Sequence, residues 1–283
     1  MHVRHSLSAA AVLLAGTLLT QSARAAESND TCTGFIDTVP TTITTQGVWC
    51  LDSNLSTGIA AGSAITVGTN NVTIDCNDFK LGGLAAGSTS QAVGIHAVGR
   101  HNVTIRNCSI RGFHRGLSLE GGGSGHRIED NRLDNNLMVG VYVEGEHNLV
   151  RNNQVFDTGG YTGGGDSVIG IYAAADVIDN TVAGAFNASE AHSSSGITIP
   201  ASGAEVRHNR VRGINGVLVY GIFATGGGVT IDSNRVSALS TTSGTGVYGV
   251  GVLTFCTNNT VVNYTSAYAA CEASADNLEL PVP

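Results

Sequence analysis

The sequence predicts an all-β chain wound as a single-stranded, right-handed parallel β-helix (solenoid) of about eight rungs with capped ends. Three observations carry this expectation. First, an aliphatic-x-x-Asn-x-aliphatic pattern recurs along the chain, at spacings of 31, 23, 22, 27, 29, 25 and 25 residues. Second, a short strand opening with glycine and an aliphatic residue precedes most copies. Third, 38 glycines and abundant Thr, Val, Ile and Asn, with no helical window of 3.6-residue periodicity, favour short strands joined by turns.

The chain opens with Met1 to His5, a basic start, followed by the short apolar run Leu7 to Leu19 and by Ser22-Ala23-Arg24-Ala25. That order reads as a signal peptide over residues 1–25, cut before Ala26. The run is too short to span a bilayer comfortably and no later stretch matches it, so no membrane span is expected. A secreted or periplasmic protein follows. Loss of Arg4 and Arg24 shifts the formal charge from −8 to −10. With one lysine, Lys80, beside 13 arginines and no basic patch, nucleic acid is excluded as a partner. All six cysteines (Cys32, Cys50, Cys76, Cys108, Cys256 and Cys271) follow residue 25, and an even count in an oxidising compartment favours disulfides. Sequence does not fix their connectivity; pairing neighbours in order is the expectation.

Residues 26–63 lie before the repeat and form the expected N-terminal cap. The β-helix is expected over 64–264. Its copies are Ile74-x-x-Asn77-x-Phe79, Ile128-x-x-Asn131-x-Leu133, Val150-x-x-Asn153-x-Val155, Val177-x-x-Asn180-x-Val182, Val206-x-x-Asn209-x-Val211 and Ile231-x-x-Asn234-x-Val236. Ile105-x-x-Cys108-x-Ile110 carries Cys in the Asn place, and Cys256-x-x-Asn259-x-Val261 fits loosely. An inward Asn at a bend can satisfy buried backbone groups, and stacked amides can bond from rung to rung. The glycine-led strands run from Gly94-Ile95-His96 through Gly116-Leu117-Ser118, Gly140-Val141-Tyr142 and Gly170-Ile171-Tyr172 to Gly249-Val250-Gly251. Residues 265–283 break the pattern and form the expected C-terminal cap and tail; exposed β edges otherwise template aggregation.

The runs Asn71-Val-Thr-Ile-Asp-Cys-Asn77, His101-Asn-Val-Thr-Ile-Arg-Asn107 and His147-Asn-Leu-Val-Arg-Asn-Asn153 resemble the parallel β-helix repeats of the pectate-lyase-like superfamily. That grouping includes polysaccharide lyases, polygalacturonases, alginate epimerases and NosD-type periplasmic proteins. The resemblance covers roughly residues 43 to 264 and implies a fold, whereas one scaffold hosts many chemistries. The polygalacturonase signatures Asp-Asp, Gly-His-Gly and Arg-Ile-Lys are missing, and Arg127-Ile128-Glu129 puts an acid where the last expects a base. Lyases of the superfamily use Lys or Arg as base, with Ca²⁺ or a cation-like residue against the uronate. Here an Arg, His or Tyr takes the base's place; the sequence names no cofactor, and the resemblance allows Ca²⁺.

Outward positions of the glycine-led strand stack from rung to rung about 4.8 Å apart. One column reads His96, Ser118, Tyr142, Tyr172, Thr198, Phe223; beside it run Val98, Glu120, Glu144, Ala174, Pro200, Thr225. Glu120 and Glu144 therefore fall on adjacent rungs, where two like charges raise at least one pKa and form an acid/base or cation-binding pair. His96, Tyr142 and His126 complete the candidate catalytic set. Arg100, His101, Arg115, Tyr172 and His147 are the candidate substrate-binding residues, by analogy with uronate recognition. Arg115 is either a corner residue pointing outward or an anomaly, since most rungs place an apolar residue there. A further column, Asp75, Arg106, Glu129, Arg151, Ile178, Arg207, Asp232, reads as a structural ion-pair ladder. The glycine-rich stretch Gly159 to Asp166 reads as an inserted loop bordering the groove. Two functions follow: a secreted lyase or epimerase on a uronate-containing polysaccharide, or a non-catalytic glycan-binding or periplasmic accessory protein of NosD type. A monomer is expected in either case.

Overall fold

A computed structural model describes residues 32–187 and 192–280; the expected signal peptide lies outside them. The chain winds into an all-β parallel solenoid of about nine turns. Among the described residues the one helical element is a single 3₁₀ turn at Leu84–Ala86. Among the described residues no helix is long and apolar enough to cross a membrane.

Each turn contributes to three faces. The glycine face holds Ser63–Val67, Val93–Val98, Arg115–Glu120, Ser193–Ile199 and Leu218–Ala224, with the first half of Val139–Arg151 and of Val168–Ile178. The second face holds Val72–Asp75, Val103–Arg106, Arg127–Glu129, Glu205–Arg207 and Thr230–Asp232. The third holds Lys80–Gly82, Ser109–Arg111, Arg132–Asp134, Gln154–Phe156, Thr181–Ala183 and Arg210–Arg212. Parallel pairing runs from Gly34–Phe35 on Gly47–Cys50 to Thr260–Ala269 on Leu278–Leu280, so both segments expected as caps carry paired strands.

The repeat's spacing explains this winding. Its first aliphatic, as Ile105, Ile128, Val150, Val177, Val206 and Ile231, is fully buried from the second face. Its last, as Ile110, Leu133, Val155 and Val182, is buried from the third, and Ile95, Leu117, Val141, Ile171 and Ile197 close the core from the glycine face. Each such side chain contributes roughly 1.5–3 kcal/mol of burial.

A two-residue corner joins the second and third faces. Its first residue is left-handed: Asp130 at φ 58°, Asn152 at 55°, Asp179 at 59°, Ser233 at 55°. Asn and Asp tolerate that region best among non-glycine residues. Its second residue is the buried Asn. Asn153 donates its backbone N–H and Nδ2 to Asn180 Oδ1 at 2.9 and 3.0 Å, and Nδ2 also reaches Ile128 O at 2.8 Å. The same linkage continues through Asn209, Asn234 and Asn259 to Asn277. At the other end Cys108 N–H donates to Asn131 Oδ1 at 3.0 Å, so Cys108 does occupy the Asn place.

The first copy departs from the sequence pattern. Asp75 pairs with Arg106 and Lys80 with Ser109, which leaves four corner residues where the next rung has two. Cys76, bonded to Cys108, therefore continues the column, and Asn77 is displaced, its Nδ2 donating to Leu51 O at 2.9 Å. The other disulfides are Cys32–Cys50 and Cys256–Cys271, the neighbour order expected. Three disulfides fit an extracellular or periplasmic compartment.

The leading glycines form a column of their own. A Cβ on Gly140 would lie 2.6 Å from Gly170 O, one on Gly170 2.7 Å from Gly196 O, and one on Gly196 2.6 Å from Gly221 O. Any larger residue would push successive rungs apart at the corner that begins the glycine face.

Candidate functional site

On the glycine face alternation points every second side chain outward. The register places Ser118 between His96 and Tyr142, Tyr142 beside Tyr172, Tyr172 beside Thr198, and Thr198 beside Phe223. The expected column therefore exists as a row along the solenoid axis. Turns that follow the glycine-face strands flank the row on one side, and the loops that precede them flank it on the other. In the second flank Tyr161, from the glycine-rich loop, packs edge-on against His114 at 4.6 Å, and its hydroxyl accepts from Gln91 at 3.1 Å. The loop thus borders the row, tied back to earlier rungs.

At the middle of the row lies a polar cluster. Glu120 takes His96 Nε2 on one oxygen at 2.7 Å and Arg115 Nη1 on the other at 3.0 Å. Arg115 also reaches the buried Ser118 hydroxyl at 3.3 Å and lies over the Tyr142 ring, 4.3 Å from its centroid. It is thus the outward corner residue, held by a carboxylate and a ring face. Tyr142 donates its hydroxyl to Glu144 Oε1 at 2.6 Å, and the second Glu144 oxygen accepts from Gly121 N–H at 2.9 Å. Tyr142 and Tyr172 stack at 4.7 Å with planes 5° apart. Arg115 and Tyr172 thereby occupy both faces of Tyr142, so neither face of this ring is open for stacking on a sugar.

The electrostatics correct a second expectation. Two like charges on adjacent rungs were expected to raise a carboxyl pKa. For Glu120 burial does push upward, but the His96 hydrogen bond and the Arg115 charge outweigh it and hold the carboxyl below its usual range. The phenol of Tyr142 moves the other way. Burial raises it, the bond to Glu144 and that carboxylate's charge add to the rise, and Arg115 opposes it. Tyr172 is raised by burial and by Glu144. Tyr142 is therefore a proton donor at neutral pH and a poor base.

The remaining candidates lie on the flanking turns. His126 is 2% exposed, and its Nδ1 accepts from Val103 N–H at 3.3 Å. Burial, then the nearby His101, lowers its pKa to about 4, so it is neutral and fixes a turn. It contacts none of the clustered residues. His101 Nδ1 lies 2.9 Å from the Ser124 hydroxyl. Arg100 is turned onto carbonyl groups, Val98 O at 2.9 Å and Gly68 O at 3.2 Å, which binds its guanidinium to the backbone. His147 is an exposed left-handed residue, φ 57°, at the register irregularity within Val139–Arg151, on the rim of a cavity of about 870 Å³. Glu144, Glu146, Tyr172, Asp176 and Pro200 also line that cavity.

A Ca²⁺ ion needs six to eight oxygen ligands. Both oxygens of Glu120 are held by His96 and Arg115, and both of Glu144 accept protein donors. Among the described residues no group of three or more His, Cys, Asp or Glu could hold a metal ion. The cluster does not fit Ca²⁺. The ion-pair column on the second face does form, through Arg106 to Asp75 at 2.7 Å and Arg151 to Glu129 at 3.0 Å.

The family described as right handed beta helix region matches residues 41–182. No curated protein matches the sequence. Among solved structures, the chain is similar to the periplasmic alginate epimerase AlgG at 14% identity and a TM-score of 0.47, over 84% of this chain and 51% of that one. It is similar to the A-module of the Azotobacter vinelandii mannuronan C-5 epimerase AlgE6 at 13% identity and 0.45, over 83% and 81%. An alginate lyase from Paenibacillus sp. str. FPU-7 matches at 14% and 0.42, over 82% and 88%. The chain spans about half the length of the periplasmic epimerase.

Proposed function

The chain belongs to the right-handed β-helix family, and on that premise we propose that it acts on a uronate-containing glycan laid along the glycine face, by proton abstraction of the lyase or epimerase kind. One observation supports this reading above the others: a carboxylate-held imidazole, a guanidinium and a carboxylate-held phenol stand side by side on one exposed strand face.

The roles follow from the chemistry of each group. The hydrogen α to a uronate carboxylate leaves only if the developing negative charge is stabilised, and the Arg115 guanidinium supplies the opposing positive charge. With His96 donating its Nε2 proton to Glu120, the Nδ1 lone pair serves as the base. Tyr142, with its phenol kept protonated, delivers a proton to the leaving oxygen in elimination, or to the opposite face of the carbanion in epimerisation. His96 and Tyr142 lie two rungs apart, roughly 9–10 Å along the axis, with Arg115 between them. In elimination the C–H and C–O bonds break, a C=C bond forms, and the proton passes to His96 while the leaving oxygen takes one from Tyr142. The expected roles of Arg100 and His126 pass to Arg115 and His96.

A second reading, a glycan-binding protein without turnover, is favoured by how fully the cluster is self-paired. The ultraviolet absorbance of unsaturated uronate ends, followed over a panel of polyuronates together with solvent deuterium at C5, separates the two. A rise in absorbance that disappears in His96→Ala supports elimination, deuterium at C5 without a rise supports epimerisation, and neither signal with binding retained favours the binder.

A further inference from the structure

Charge on the glycine face is divided along its axis. The cation of the cluster, Arg115, belongs to the strand Arg115–Glu120, beside His96 on Val93–Val98. Two rungs further on lies the 870 Å³ cavity, whose walls carry Glu144, Glu146 and Asp176 and no lysine or arginine. Arg100, on the same flank, is bound to carbonyl groups and leaves that charge uncompensated. Tyr172 joins the two regions, stacking on Tyr142 within the cluster and lining the cavity. Beside it on the groove floor, Thr198 is only 6% exposed, and its buried hydroxyl oxygen has no hydrogen-bond partner among the described residues. A buried hydroxyl left in that state is costly unless a ligand or water completes it.

A glycan with one uronate against Arg115 brings its neighbouring unit to Tyr172 and this cavity. A second carboxylate there would face three like charges, with His147 as the one basic side chain and no lysine or arginine in the lining. We propose that the cavity seats a sugar unit that carries no carboxylate, so that the substrate is a mixed glycan alternating uronate with an uncharged or amino sugar. Homopolymers of uronate are disfavoured. This rests on the preceding reading, in which Arg115 holds the uronate.

The test uses calorimetric binding of the full chain, at low salt, to two oligosaccharides of equal length. One is a hyaluronan oligomer, in which glucuronate alternates with N-acetylglucosamine; the other is an oligomer of polymannuronate. The Glu146→Gln/Asp176→Asn double variant is compared with the parent. Asn at 176 retains an oxygen to accept the Glu205 N–H that Asp176 now accepts at 2.9 Å, and a cooperative melting transition verifies folding. Each exposed like-charge contact removed is worth about two- to fivefold in affinity. The hyaluronan oligomer should bind the parent more tightly. The double variant should gain about four- to twenty-five-fold for polymannuronate and change little for hyaluronan. Equal affinities in the parent, or a ratio that the variant leaves unmoved, overturn the inference. If neither oligomer binds, or if Arg115→Ala leaves both affinities intact, the uronate reading itself fails.

Discussion

Replacing Asn180 by alanine should cost about 3–5 kcal/mol, because this side chain makes five hydrogen bonds where water does not reach. Its Oδ1 accepts the Asn153 N–H at 2.9 Å and the Asn153 Nδ2 at 3.0 Å. Its Nδ2 donates to Val150 O at 2.9 Å, to Ile178 O at 2.9 Å and to Asn209 Oδ1 at 3.0 Å. Alanine leaves the Asn153 N–H orphaned, at about 1–3 kcal/mol. The other lost bonds and the small void account for the remainder. Asn180→Asp retains the acceptor but loses both Nδ2 protons and buries a charge, so it should be at least as damaging at neutral pH and recover partly in acid. Equilibrium urea unfolding, read as the midpoint shift at constant slope, measures the difference. A loss below about 1 kcal/mol would refute the claim that the amide column holds the rungs together.

Further predictions concern the cluster, pH and the disulfide column. Tyr142→Phe removes the proton donor but keeps the ring stack and should lower turnover by about 10²–10⁴ with KM nearly unchanged; equal loss in both would indicate a packing defect. His126 has a folded pKa lowered from 6.5 to about 4, so the folded state binds fewer protons than the unfolded state between these values. Its contribution to stability is full above pH 6.5 and is lost as pH falls through that window. Thermal midpoints should fall accordingly, and His126→Gln, which keeps an acceptor for Val103, should flatten the slope. Opening the Cys76–Cys108 bridge, which spans 32 residues, should cost about 3–4 kcal/mol, measured with the Cys76→Ala/Cys108→Ala pair.

The winding was legible in the sequence because its signals are local. A buried aliphatic, a left-handed corner residue and an inward Asn recur within five positions, and the glycine-led strand fixes which neighbours stack. Two copies escaped that pattern for physical reasons. Asn77 matches it, yet a corner with two extra residues moves Cys76 into the column. Asn277 completes the amide column although Ser274 and Glu279 stand where the flanking aliphatics are expected. The composition of the corner position, Asp130, Asn152, Asp179, Ser233 and Asn258, was a usable signal for the turn, since left-handed φ selects those side chains.

The row of the candidate site was readable from the same register, but its electrostatics were not. Glu120 and Glu144 face different partners, one His96 and Arg115, the other Tyr142 and Gly121. Which way a side chain leans across a strand face is decided by lateral packing, and the pattern of a single strand does not record it. Arg100 and His126 illustrate the same point at the turns, where backbone groups capture side chains that composition alone marks as available.

Abstraction of the proton α to a uronate carboxylate is the central claim, and solvent deuterium tests it most directly. The purified chain is incubated in deuterium oxide with a mixed uronate glycan, and the uronate C5 position is read by nuclear magnetic resonance alongside the count of unsaturated ends. The account predicts deuterium at C5 or new unsaturated ends, abolished by His96→Ala and sharply reduced by Tyr142→Phe. Binding of the same glycan with neither signal would contradict it, leaving the glycine face as a recognition surface without chemistry.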